Sequence, residues 1–95
     1  MSITVRIPAP LRRLSEGQPT VDLTGRNLGD CIDNLDSRFP GFKERLCDES
    51  GDLRRFVNIY VNGEDVRFLQ GLATQLEDGD EVSIVPAVAG GDISS

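Results

Sequence analysis

Three kinds of residue in this 95-residue chain could take part in chemistry: two cysteines, two carboxylate clusters and a Gly-Gly pair. The carboxylates lie in "CDESGD" (47–52) and "LEDGDE" (76–81). General acid–base work needs two carboxylates held in contrasting environments, and calcium loops need a longer patterned spacing. Both stretches fit solvated loops better, so neither a catalytic pair nor a metal site is assigned to them. Cys31 shares a helix face with Leu28 and Leu35 and reads as a small buried apolar residue. Cys47 adjoins Asp48 and Glu49, whose negative charge disfavours a thiolate. The chain has no histidine, which removes the commonest metal ligand and any Ser-His or Cys-His nucleophile. No catalytic residue and no bound cofactor is therefore expected. If the chain takes part in a reaction, it does so as a substrate.

The glycine pair is the place for that. "VSIVPAVAGGDISS" (82–95) passes from a dense apolar run through small residues to Gly90 and Gly91. Side-chain bulk is stripped away towards the pair. Glycine lacks Cβ, so it enters narrow clefts and reaches backbone angles closed to other residues. Fully extended, the stretch from Val85 to Gly91 reaches roughly 20 Å. That is enough to thread a backbone carbonyl into another protein's active site while a folded body docks outside. The plain alternative is a frayed terminus, where glycine is common.

A body that presents such a tail must come from residues 1–86, and the chain is short enough for one domain with one modest core. "ITVRI" (3–7) alternates, with Ile3, Val5 and Ile7 inward, and "TVDLT" (20–24) alternates with Val21 and Leu23 inward; together they predict a hairpin with a long connection. From residue 27 the period changes. Leu28, Cys31, Ile32, Leu35 and Phe39 fall on one helical face, with Asn27 as N-cap and Asp30 at the positive end of the dipole. Arg38 suits the other end, and Pro40-Gly41 stops the helix. "FKERLC" adds a further turn. "RFVNIYVNGEDVRF" (55–68) gives two alternating runs around Asn62-Gly63, a strong hairpin signal. A short helical turn, a tight turn at Asp78-Gly79 and a last strand "EVSIVPAV" (81–88) follow. The order predicts an α+β, β-grasp (ubiquitin-like) fold: a mixed sheet of four to five strands, first and last side by side and parallel, with one main helix on one face. Residues 87–91 are expected as a flexible tail and 92–95 as an extension.

The formal net charge of −6 repels phosphate backbones, which argues against nucleic acid, and attracts partners with a basic surface. No run approaches the roughly 20 apolar residues of a membrane span. The N-terminus does not read as a signal peptide, which predicts a cytoplasmic protein with free thiols. Phe56 and Tyr60 are expected on the sheet face away from the helix, with Val85 and Val88 on the approach to the tail, as a partner-binding surface. For the two aromatics, packing under the "PAPLRR" loop is the alternative.

"FVNIYVNGEDVRF", "GLATQLEDGDEVSIVPAVAGG" and "ITVRIPAPLR" together resemble the ubiquitin-like sulfur-carrier family. That family includes the thiamine-synthesis carrier and the small subunit of molybdopterin synthase; the likeness is greatest to its cysteine-synthesis branch and covers residues 3–91. The resemblance implies that the carboxylate of Gly91, next to Gly90 and Ala89, is adenylated with ATP by an E1-like activating enzyme. A sulfide donor then converts it to a thiocarboxylate. For the cysteine-synthesis branch it implies a PLP-dependent cysteine synthase as acceptor and a zinc metalloprotease of the JAMM (Mov34) type as the releasing enzyme. One feature departs from the family pattern: Asp92-Ile93-Ser94-Ser95 follow the glycines, so Gly91 is held in an amide. Proteolysis between Gly91 and Asp92, with the JAMM-type enzyme as candidate, is the expectation. A fixed subunit of a molybdopterin-synthase-like complex and a protein modifier joined to lysines remain alternatives.

Overall fold

The computed structural model describes residues 2–86. Strands β1 (Ile3–Arg6) and β2 (Thr20–Leu23) pair antiparallel. Ile3 lies opposite Leu23 and Val5 opposite Val21, so the alternation read from sequence puts all four on one buried face. Pro8 ends β1, and a 3-10 turn at Ala9–Leu11 drops Leu11 into the core. The long connection back to β2 is held by Ser15. Its buried hydroxyl reaches the carbonyls of Arg12 (3.1 Å) and Gln18 (2.7 Å), so a polar side chain in the interior is satisfied.

Helix α1 spans Leu28–Arg38. Asn27 caps it, its side chain accepting from the Asp30 amide at 2.8 Å. Leu28, Cys31, Ile32 and Leu35 form the buried stripe, and Phe39 continues it. Asp36 Oδ1 then accepts from the amides of Gly41 (3.1 Å) and Lys43 (3.0 Å), which turns the chain into helix α2 (Phe42–Leu46). Gly41 sits at φ 112°, a conformation that side chains oppose. Phe42 is fully buried and meets Phe39 edge to face with ring centroids 6.4 Å apart.

Strand β3 (Val57–Val61) turns through Asn62 (φ 52°) and Gly63 (φ 88°) into β4 (Glu64–Asp65). Two positive φ values are what a tight, right-twisted hairpin requires. The second run is shorter than its alternation predicts. Asp65 accepts from the Arg67 amide at 2.9 Å and starts a 3-10 turn at Val66–Phe68 after only two paired residues. A second 3-10 turn at Gly71–Ala73 leads to strand β5 (Glu81–Pro86).

The five strands run in the order β2-β1-β5-β3-β4. β5 lies in the centre, parallel to β1 and antiparallel to β3. Val5, Val57, Ile59, Val61, Val82 and Ile84 project from the sheet into the same core as the α1 stripe. Burying each such side chain contributes about 1.5–3 kcal/mol. This is the α+β, β-grasp arrangement expected from the element order, with the helix covering one face and the other left open.

Candidate functional site

The open face is built by the outward residues of the same strands. Strand register draws one row straight across it: Thr20, Arg6, Ser83, Tyr60 and Asp65. A second row places Asn58 beside Val85. Arg6 and Glu81 make an exposed ion pair at 3.4 Å, which in water contributes little.

At one end of this face lies Pro86, the last described residue of β5, opposite Val57. This end, from which the chain continues to the glycine pair, is the exit of β5. Around this exit are two large exposed apolar side chains, Phe56 (55 %) and Val85 (45 %). Tyr60 is half-buried further along β3. The exposure of Phe56 rules out packing under the 8–13 loop. That loop turns inward instead, with Leu11 in the core. Of the predicted site residues, then, Tyr60 and Val85 lie on the open face, and Phe56 is exposed in the turn that leads into β3. Val88, Ala89, Gly90, Gly91 and Asp92 lie outside the described residues.

Arg67 organises the exit and was not singled out from sequence. Its guanidinium donates to Asn58 Oδ1 (2.6 Å) and to the carbonyls of Arg54 (2.8 Å) and Arg55 (3.2 Å). It thereby ties the segment before β3, including Phe56, to the open face. A planar guanidinium fork suits such multiple donation. Phe68 was missed too: it is 88 % exposed. Alternation puts it on the side of Val66, which is fully buried, whereas the 3-10 turn swings it outward. The signal that could have found both is Asp65, an Asx-type turn starter at the point where the strand stops.

The thiols offer no competing chemistry. Cys31 and Cys47 are free and buried. Burial pushes the Cys31 thiol up to about 11 and also raises that of Cys47, with Asp33 and Asp48 adding to the shift and Lys43 opposing it. A thiol held protonated is a poor nucleophile. A hollow of about 570 Å³ beside α2 is lined by Asp36, Lys43, Cys47, Asp48 and Arg54 among others. Asp48 in it lies below the usual carboxylate range because it accepts from the Ser50 hydroxyl at 2.6 Å and the Ser50 amide at 2.9 Å. It works as a turn-former. Among the described residues no cluster of carboxylates and cysteines could hold a metal ion, and no helix is long and apolar enough to cross a membrane.

Comparison with known proteins gives the same picture at the level of family. The ThiS family model matches residues 5–91, ending on the second glycine. The sulfur carrier protein CysO of Mycobacterium tuberculosis is 55 % identical over 93 residues, covering 96 % of this chain and 100 % of that protein. Its crystal structure matches with a TM-score of 0.87 at 53 % identity, over 90 % of this chain and 99 % of that one. The Amycolatopsis orientalis BexX/CysO complex contains a chain that matches with a TM-score of 0.89 at 47 % identity, over 94 % and 99 % of the two chains. Small archaeal modifier protein 3 of Haloferax volcanii is 44 % identical over 64 residues, 67 % of this chain and 68 % of that one. A β-grasp body, an exposed apolar exit for its central strand and a family match that runs to the glycine pair converge: the chain belongs to the ThiS family of ubiquitin-like sulfur carriers.

Proposed function

We propose that this protein carries sulfur as a thiocarboxylate on Gly91 and acts as a co-substrate, with the catalysis supplied by its partners. Hydrolysis of the Gly91–Asp92 amide first exposes the Gly91 carboxylate. A carboxylate is a poor electrophile. An oxygen of it attacks the α-phosphorus of ATP on an E1-like enzyme; pyrophosphate leaves and an acyl-adenylate forms. Sulfide then attacks the acyl carbon and AMP leaves, giving –COS⁻. The product is a soft nucleophile held on a macromolecule and not released as free sulfide. The CysO relatives favour cysteine as the end product, with a PLP-dependent cysteine synthase as acceptor. A JAMM-type metalloprotease, which would hydrolyse the bond after Gly91 to release cysteine, is the natural candidate for the first cleavage too.

The observation that carries this reading is that the ThiS match ends on Gly91, five residues beyond Pro86, the last described residue of the central strand β5. The reactive carbonyl is thus joined to the core strand by the short run Ala87-Val88-Ala89-Gly90. Phe56, Tyr60 and Val85, with Val88, form the docking surface beside that run. The test is to cut the chain after Gly91 and incubate it with the activating enzyme, ATP and sulfide. Intact mass should rise by one sulfur-for-oxygen exchange; an unchanged mass overturns the reading. For the cleavage itself, full-length chain that persists in cytosolic extract counts against processing.

The likeness to the archaeal modifier protein favours a second reading, attachment of Gly91 to lysines of other proteins. Peptide mass spectra in which a substrate lysine carries the segment ending on Gly91 would support it; trypsin leaves residues 68–91 on that lysine, because none of them is lysine or arginine.

A further inference from the structure

β5 lies between β1 and β3, and the segments attached to both of those strands at its exit end carry arginine pairs. Arg12 and Arg13 follow the turn that ends β1; Arg54 and Arg55 precede β3. Arg67 reaches the same end through its bonds to Asn58 and to the Arg54 and Arg55 carbonyls. These five are half of the ten basic residues of the chain. The opposite end of β5 holds Glu64, Glu77, Asp78, Asp80 and Glu81, and residues 68–86 contain no lysine or arginine. The net charge of −6 is therefore unevenly spread: at the end from which the tail departs the arginines sit among acids, while the opposite end carries acids alone.

Three of the five arginines have structural partners. Arg12 Nε donates to the Ile7 carbonyl (3.1 Å), Arg54 Nε to the Glu44 carbonyl (3.0 Å), and Arg67 is the tie already described. Arg13 and Arg55 are exposed, and among the described residues neither side chain has a hydrogen-bond or ion-pair partner. The acids in the same segments are Glu16 after Arg13, Glu44, whose carbonyl Arg54 reaches, and Asp48, Glu49 and Asp52 just before Arg54.

Given the carrier reading, on which this rests, the geometry points to a partner whose tail channel opens through a rim of carboxylates, with Arg13 and Arg55 docking on that rim from either side of the tail. A uniformly acidic body would be repelled by such a rim. A body whose arginines lie at the tail end and whose opposite end is purely acidic has a dipole that turns it tail-first as it approaches, because complementary potentials steer encounter. Charge-assisted hydrogen bonds to the carboxylates then hold the docked orientation.

The test uses the chain cut after Gly91, which removes nothing from the described body, and the adenylating enzyme of the same cells. Pyrophosphate release is followed against carrier concentration at low and high salt. The double reversal Arg13→Glu with Arg55→Glu should raise KM about tenfold at low salt and leave kcat unchanged, as expected for lost steering. The gap should close at high salt, where surface charges are screened. Arg13→Lys with Arg55→Lys should stay close to the original, and reversal at the far end, Glu64→Lys with Glu77→Lys, should not raise KM. Arg13→Gln with Arg55→Gln serves if the glutamate pair lowers the melting temperature. An unchanged KM, or a rise equal at both salt levels, overturns the acidic-rim partner and leaves the carrier reading standing. Failure of the unsubstituted chain to be adenylated overturns both.

Discussion

The two ends of β5 are built on opposite plans. At its start, short polar bonds join residues far apart in sequence. Ser2 donates to Asp78 (2.6 Å), Gly79 to the Ser2 carbonyl (2.9 Å), Asn62 to Asp80 (2.9 Å), Glu77 to Asp80 (2.8 Å) and Glu81 to Asn62 (3.0 Å). At its finish there is a proline, two exposed apolar side chains and one arginine tie. The first end holds the strand in register; the second leaves apolar surface in water. Apolar surface left beside a strand exit is what a docking partner covers. The strand is thus an anchored rod with a free working end, and substitutions should divide accordingly.

The largest effect expected is on the tail. Gly91→Val in the chain cut after residue 91 should reduce thiocarboxylate formation at least a hundredfold, on the order of 3 kcal/mol in the activation barrier, with no change in melting temperature. Equal activity would remove the reason for a glycine there. Next comes the body. Ile59→Ala empties a fully buried site on β3 next to β5 and should cost about 2–5 kcal/mol in urea unfolding. Below its melting temperature the kcat for adenylation should be unchanged. A fall in kcat at full folding would mean that core and tail are not separable.

A third effect is pH-dependent. Burial pushes the folded Cys31 thiol up to about 11 from an ordinary 9.0. The folded state therefore holds its proton more tightly than the unfolded state. The stability this gives is fully present below pH 9 and is lost as pH rises through 11. The fall should be on the order of 2 kcal/mol, and Cys31→Ala should remove that part of the alkaline slope. A slope identical in both chains would mean that the thiol does not titrate with folding.

The smallest effects sharpen the contrast most. Asp80→Ala should cost about 1–2 kcal/mol of stability, because buried or bridging acceptors are missed when removed, and leave KM alone. Phe56→Ala should change stability by no more than about 0.5 kcal/mol, as exposed sites do, yet raise KM several-fold. Swapped outcomes for this pair would erase the distinction between the two ends.

Much of the anchored part was legible in the chain. The period change at Asn27, the cap, the stop at Pro40-Gly41 and the Asn62-Gly63 hairpin all rest on local rules that the tertiary structure obeys. The parallel neighbour relation of β1 and β5 followed from element order. The working end was harder to read. Val66 and Phe68 alternate like strand residues, yet Asp65 captures the Arg67 amide and ends the strand early. Composition gave an acidic molecule; only strand register shows that the arginines gather at one end of it. The tie from Arg67 joins residues that are 9 to 13 positions apart, and such pairings leave no periodic trace. Of the predicted surface, Phe56, Tyr60 and Val85 could be placed; the tail from 87 and the cleavage position after Gly91 lie outside the described residues.

The central position of β5 has a consequence for synthesis on the ribosome. Until Glu81–Pro86 emerges, β1–β2 and β3–β4 are two separate ribbons with unpaired edges, and such non-local closure is slow and exposed to wrong pairing. A polypeptide released before that point has no way to complete its sheet. For the carrier role proposed above, this means that any molecule folded well enough to be admitted by an activating enzyme would have been translated at least to the doorstep of its cargo hook.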